Sequence, residues 1–119
     1  MDFNTLIDQI KRRPDYEKVG MIVCHNGVVR STSRDGRKVR GLRVAVDNKR
    51  LAAVIEAHKA RPGIVEILVQ INADRDLMVG DDVMGLVVAG DVRENVLATL
   101  GDTLNAIKGK VTKKTEFFA

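Results

Sequence analysis

The chain has 119 residues, 45% of them apolar, a formal net charge of +4, one cysteine and no tryptophan. These values exclude a disordered polyelectrolyte, a disulfide scaffold and a cysteine-based zinc site, and no apolar run approaches the ~20 residues of a membrane-spanning helix. The length predicts one domain over residues 1–119, with a core built from Val, Leu, Ile and Ala because aromatic residues are scarce.

Phe3, Leu6, Ile7 and Ile10 fall at helical spacing and predict a short first helix. Its acids distinguish this start from a signal peptide, and with a lone cysteine the expected location is the cytoplasm. Residues 19–30, VGMIVCHNGVVR, are rich in β-branched side chains and predict a strand with a bulge near Asn26-Gly27. A polar loop with an Asp35-Gly36 turn follows, then an alternating strand over 39–46. The two strands are expected to form a long hairpin with a basic tip. Asp47 is placed to cap a second helix carrying Leu51, Val54 and Ile55 on one face, ended by Pro62-Gly63. Residues 64–71 and 83–90 predict two further strands, the second apolar enough to be central, joined by a loop. Asp91 and Glu94 have capping-box spacing ahead of a helix marked by Val92, Val96, Leu97, Leu100, Leu104 and Ile107. Gly109 suits a left-handed helix stop, which makes Lys108 the last helical residue. TEFFA predicts a short last strand. The order α-β-β-α-β-β-α, with hairpins and no βαβ alternation, predicts an α+β fold with a mostly antiparallel sheet and three helices.

The basic residues are unevenly spread. Arg30, Arg34, Arg37, Lys38, Arg40 and Arg43 crowd one stretch, and Lys108, Lys110, Lys113 and Lys114 another. Two such clusters form a single anion site if the fold brings them together. Other chemistry is poorly represented. His25 and His58 lie in different elements without companion ligands, so no metal site is expected. Ser31 and Ser33 lack a nucleophile elbow, and HNGVVR lacks the ending of a phosphate loop. Cys24 reads as a small core residue.

In the order and spacing of its motifs, the chain resembles the catalytic large subunit of molybdopterin synthase, as a short and divergent member. The matching residues are GVVR (27–30), DGRKV (35–39), Gly80-Asp81, Arg93 twelve residues beyond Asp81, Lys108, and more loosely TKKTE (112–116). Val92 stands where the family usually has His, and Thr112 where it has Trp. The resemblance implies the α/β-hammerhead fold of that subunit and a sulfurtransferase of molybdenum cofactor biosynthesis. Sulfur would pass from a thiocarboxylated, small ubiquitin-like partner to cyclic pyranopterin monophosphate, with no cofactor. It implies Lys108 and Lys113 in the chemistry, Arg30 and Arg93 in substrate binding, and Lys114 as the alternative to Lys113.

Arg93 and Lys108 are fifteen residues apart on one helix, or about 22 Å at 1.5 Å per residue. They reach one small ligand only if two copies share each site, so a homodimer is expected, paired with the small subunit. Two other readings compete: a relative that kept an anion or pterin pocket without turnover, and a nucleic-acid binder using the basic loop. The second has no aromatic residues among its arginines to stack bases.

Overall fold

The computed structural model describes residues 1–119. In chain order it contains α1 (Phe3–Lys11), a 3₁₀ turn (Tyr16–Lys18), β1 (Met21–Val28), β2 (Val39–Val46), α2 (Asn48–Lys59), β3 (Ile64–Ile71), β4 (Leu77–Met78), β5 (Asp82–Gly90), α3 (Arg93–Ala106), a π-helical turn (Ile107–Val111) and β6 (Thr112–Phe118). Aspartates cap the first two helices, Asp47 as expected and Asp2 in addition. Asp2 accepts from the Thr5 N–H at 3.1 Å and Asp47 from the Arg50 N–H at 3.1 Å, each satisfying an amide that the helix cannot.

The strands form two antiparallel three-stranded sheets, ordered β1-β5-β3 and β4-β2-β6. β5 is central, as its unbroken apolar run predicts, and Leu86 to Ala89 are fully buried. On one face α1 sets Leu6 and Ile10 against Val87 and Ala89. On the other, Val96, Leu100 and Leu104 of α3 cover Leu86, Val88 and Ile67. Met84, Ile107 and Val111 form a further cluster that joins the end of this sheet to α2 and to Val46 of β2. The second sheet packs through Val29, Leu42, Val44 and Leu77, which meet Ile71 and Val83 from the first.

The expected β1–β2 hairpin does not form. β1 pairs with β5, Met21 opposite Gly90, while β2 pairs with β6, Val46 opposite Thr112. Only a bridge between Thr32 and Lys38 closes the loop between them. β5 needs cover on both faces and both edges, whereas β2 carries exposed Arg40 and Arg43 between buried residues and suits a sheet with one wet face. The bulge expected near Asn26-Gly27 is present as a register shift between Gly27 and Val28. The loop between β3 and β5 contains β4, two residues too short to give a periodic signal.

Three expectations around α3 are corrected. The capping box is absent: Val92 is the N-cap residue, and Asp91 accepts instead from the Val92 N–H at 2.6 Å and Asn95 Nδ2 at 2.9 Å. Glu94 pairs with Arg93 at 3.3 Å rather than reaching back. The helix does not stop at a left-handed Gly109, which has no positive φ. It widens after Ala106 into the π-helical turn that carries Lys108. Two tertiary contacts hold that turn open: the Asp47 N–H donates to the Val111 carbonyl at 2.9 Å, and Arg50 Nη1 donates to the Lys110 carbonyl at 3.2 Å. Cys24 is exposed rather than in the core, on the face of β1 opposite to that of Val23 and His25. No helix is long and apolar enough to cross a membrane.

Candidate active site

The meeting of the two sheets leaves a cleft of about 560 Å³. Its floor is apolar, made by Leu42 and Val44 of β2 with Ile71, Val83 and Met84 of the first sheet. Its walls are cationic. Arg30 and Arg34 come from the loop after β1, Lys108 from the π-helical turn, and Lys114 from β6, against Glu116 as the single carboxylate. The two basic clusters of the sequence therefore converge, although the residues joining them span most of the chain.

Local structure fixes three of these cations. Arg30 follows buried Val29, and its Nε donates to the Thr32 carbonyl at 2.9 Å, which leaves the two terminal nitrogens for a ligand. Lys108 follows Ile107, which is fully buried, with Val111 beyond it also buried, so its backbone is pinned on both sides. π-Helical turns are rare and concentrate at functional sites. Lys114 pairs with Val44 of β2 in a strand whose Thr112, Lys114 and Glu116 alternate onto the cleft side. None of Arg30, Arg34, Lys108 and Lys114 has a carboxylate within ion-pair distance. Elsewhere Arg13, Lys59 and Arg61 are paired with Glu66 or Asp102. Four unneutralised cations around an apolar floor suit an anionic ligand with a flat or apolar body.

The sequence candidates divide by position. Arg30, Lys108 and Lys114 line the one cleft. Lys113 faces the other side of β6, in a shallow depression with Asp47, Arg50 and Lys110. Arg93 opens α3 at the far end from Lys108, exposed and beside Glu94. Fifteen positions apart, the two are about 22 Å from each other at helical rise. Two cleft residues were not singled out by sequence. Arg34 stood in the sequence only as one member of the first basic cluster, without a role of its own. His25 was set aside as a metal ligand without companions, yet it lines the cleft near Lys108, and its Nε2 is buried without a hydrogen-bond partner. Burial, and secondarily the Lys108 ammonium, hold its imidazole below the ordinary histidine range. No group of three or more His, Cys, Asp and Glu side chains is arranged to hold a metal ion.

Fold and cleft together define an α+β protein with two joined antiparallel sheets and a concave cationic site at their junction. The family model described as MoaE protein matches residues 1–110. The chain belongs to that family, and with it to the proteins of molybdenum cofactor biosynthesis. Its fold is similar to that of molybdopterin synthase from Staphylococcus aureus, at 20% identity over 91% of this chain and 85% of that one, with a TM-score of 0.73. It is similar to a chain in the complex of subunits 1 and 2 of the molybdopterin-converting factor from Helicobacter pylori, at 17% identity over 99% and 80% of the two chains, TM-score 0.72. It is also similar to molybdopterin cofactor biosynthesis protein E from Burkholderia multivorans, at 20% identity over 100% and 82%, TM-score 0.77. A sequence search of curated proteins gives no match.

Proposed function

We propose that this chain is the sulfur-transferring large subunit of a molybdopterin synthase. It would convert cyclic pyranopterin monophosphate to the dithiolene, with sulfur from the thiocarboxylated C-terminus of a small ubiquitin-like partner. The observation that carries this reading is the convergence of Arg30, Lys108 and Lys114, free of carboxylate partners, over the apolar floor of one cleft. The complex of two subunits from Helicobacter pylori supports a partner of this kind.

The chemistry follows from the residue types. The guanidinium of Arg30 offers a planar fork to the cyclic phosphate. The apolar floor receives the ring system, and the partner's extended peptide tail enters between the walls. Sulfur of the thiocarboxylate bonds to a carbon of the pyranopterin side chain as that carbon's bond to oxygen breaks and the oxygen leaves with its electron pair, giving an acyl–sulfur link between partner and substrate; two partner molecules in turn supply the two sulfurs of the dithiolene. Water then adds to the acyl carbon, and the carbonyl electron pair moves to oxygen. Lys108 and Lys114 stabilise that oxyanion. Its collapse breaks the carbon–sulfur bond, leaving sulfur on the pterin and a carboxylate on the partner. Arg93 serves the cleft of a second copy in a homodimer, since the length of α3 separates it from its own. Lys113, on the opposite face of β6, has the lesser role of the two neighbouring lysines.

The deciding experiment is single-turnover conversion of cyclic pyranopterin monophosphate by the purified chain and its thiocarboxylated partner. Dithiolene product supports the reading. Failure with a folded protein and verified partner favours a relative that binds the anion without turnover, a reading favoured by Val92, which has no proton-transferring group beside Arg93.

A further inference from the structure

His25 has no role in the reaction above, and its surroundings are unusual. It sits near the end of β1, directed toward the α3 side of the sheet like Val23. Its Nε2 is shielded from solvent and bonded to nothing, and lies close enough to Gly27 that a Cβ there would be 3.6 Å from it. A polar nitrogen buried without a partner is costly, and in a native protein it calls for an explanation such as an unfilled ligand site.

The charges around it are all accounted for. β5, which pairs along β1, presents Leu86 opposite His25 and Met84 opposite Gly27, neither charged. From α3 the charged side chains are engaged elsewhere, Arg93 with Glu94 and Asp102 with Arg61. The π-helical turn contributes Lys108, the loop after β1 contributes Arg30 and Arg34, and β6 contributes Lys114 and Glu116. Asp82 bonds the Asn26 side chain, which alternation puts on the opposite face of β1, and is neutralised by the Met1 ammonium at 2.6 Å. Burial first, and the Lys108 ammonium second, favour the neutral imidazole of His25, while Arg30, Arg34, Lys114 and Glu116 line the rest of the same cleft.

An anion in the cleft reverses both effects. It offsets the repulsion from Lys108, and it offers the countercharge and acceptor that an imidazolium requires. We propose that His25 is a proton-linked member of the cleft's anion site, neutral without a ligand and protonated from solvent when a dianion such as a phosphate monoester occupies the cleft. This rests on the reading of the cleft as an anion site, and adds that binding takes up one proton at a defined residue. Its consequence is that the ligand's hold tightens as pH falls through the range in which His25 titrates, and loosens as it rises.

The chain has only two histidines, His25 and His58, so their imidazole C–H signals are resolved by NMR and assigned with His58→Gln. Each would be titrated from about pH 5 to 8 in sodium chloride and in sodium sulfate at equal ionic strength, sulfate being a dianion throughout this range. The expected result is a His25 midpoint about one unit or more higher in sulfate, with His58 unmoved, and sulfate affinity about tenfold stronger at the acid end. In His25→Gln, sulfate still shifts the Lys108 and Arg30 side-chain signals, but its affinity no longer depends on pH. If sulfate shifts the Lys108 and Arg30 signals while the His25 midpoint stays in place, the proton linkage is overturned and the anion site stands. If sulfate moves none of the three, both fall. The titration of His25 in the unsubstituted protein gives this answer even if His25→Gln does not fold.

Discussion

Lys113 and Lys114 are adjacent in the chain and face opposite sides of β6. Lys114 shares a cleft with Lys108 and Arg30, whereas Lys113 lies over the start of α2 with Asp47 and Arg50. Sequence spacing leaves the choice between them open, and the alternation of a strand gives them different surroundings. Lys114→Ala is therefore expected to lower single-turnover sulfur transfer by about 10²-fold, the usual cost of losing one oxyanion-stabilising group. Lys113→Ala is expected to lower it less than about tenfold. Equal losses in the two variants would undo the assignment.

Arg30→Lys tests the fork. A lysine keeps the charge and loses the two parallel donors, so binding of the phosphorylated substrate is expected to weaken about tenfold or more. The change belongs in KM rather than in the chemical step. Calorimetric binding of the substrate by the two proteins would measure it directly, and an unchanged affinity would assign Arg30 to structure.

Arg93 gives a test that needs no new structure. If each cleft is completed by a second copy, Arg93→Ala and Lys108→Ala disable different halves of one site. Mixed after mild dissociation and reassociation, the two inactive variants would form hybrid dimers with one intact site. Activity should then recover to about a quarter of the unsubstituted level, as random pairing predicts for a twofold dimer. No recovery, from hybrids shown to have formed, would separate Arg93 from the site.

Gly63 adopts a φ of +80°, and a Cβ there would collide with the Asp91 carboxylate and the Asn95 amide. Gly63→Ala combines left-handed strain with that overlap and should destabilise the protein by about 2–4 kcal/mol. Denaturant unfolding would measure the change, and a loss below about 0.5 kcal/mol would show that the Asp91 turn yields easily.

The same turn sets an acid limit. The Asn95 side chain, and next the Val92 N–H, hold the Asp91 carboxyl below its usual range. A group whose folded-state value is depressed stabilises the fold above its unfolded value, and that contribution disappears as pH falls through the depressed one. Asp91→Asn should therefore be less stable than the unsubstituted protein at neutral pH, with the gap closing below about pH 4. Unfolding midpoints from pH 2 to 7 for the two proteins would show the convergence, and parallel curves would rule it out.

Most elements were legible in the sequence because each has a local cause. The Asp47 cap, the alternation of 39–46 and the apolar run of β5 specify themselves within a few residues. Strand pairing does not. β1 and β2 are neighbours in the chain with a turn signal between them, and their separation into two sheets reflects what β5 must bury on both faces, a condition set by residues far away. The site was legible in its chemistry and less so in its arrangement. Arg30 and Lys108 stand out by type and resemblance. His25 does not, because an isolated histidine in a strand gives no signal until the topology sets it beside Lys108. The stop at Gly109 is misread because the features that override it are the Asp47 amide and the Arg50 guanidinium, which are remote in sequence.

The π-helical turn couples the two lysines of the cleft by counting. It takes up one residue more per hydrogen-bonded ring than an α-helical turn, and β6 begins directly after it. Adding one residue between Lys108 and Thr112, where the turn has already taken up its extra residue, would bring β6 into the sheet one step out of phase. Every side chain on it would then exchange faces. The lysine following Lys113 would turn out of the cleft, and Lys113 itself would turn in. The length of this short segment thus selects which of two adjacent lysines meets the ligand, and a change of one residue there exchanges them without altering any basic residue.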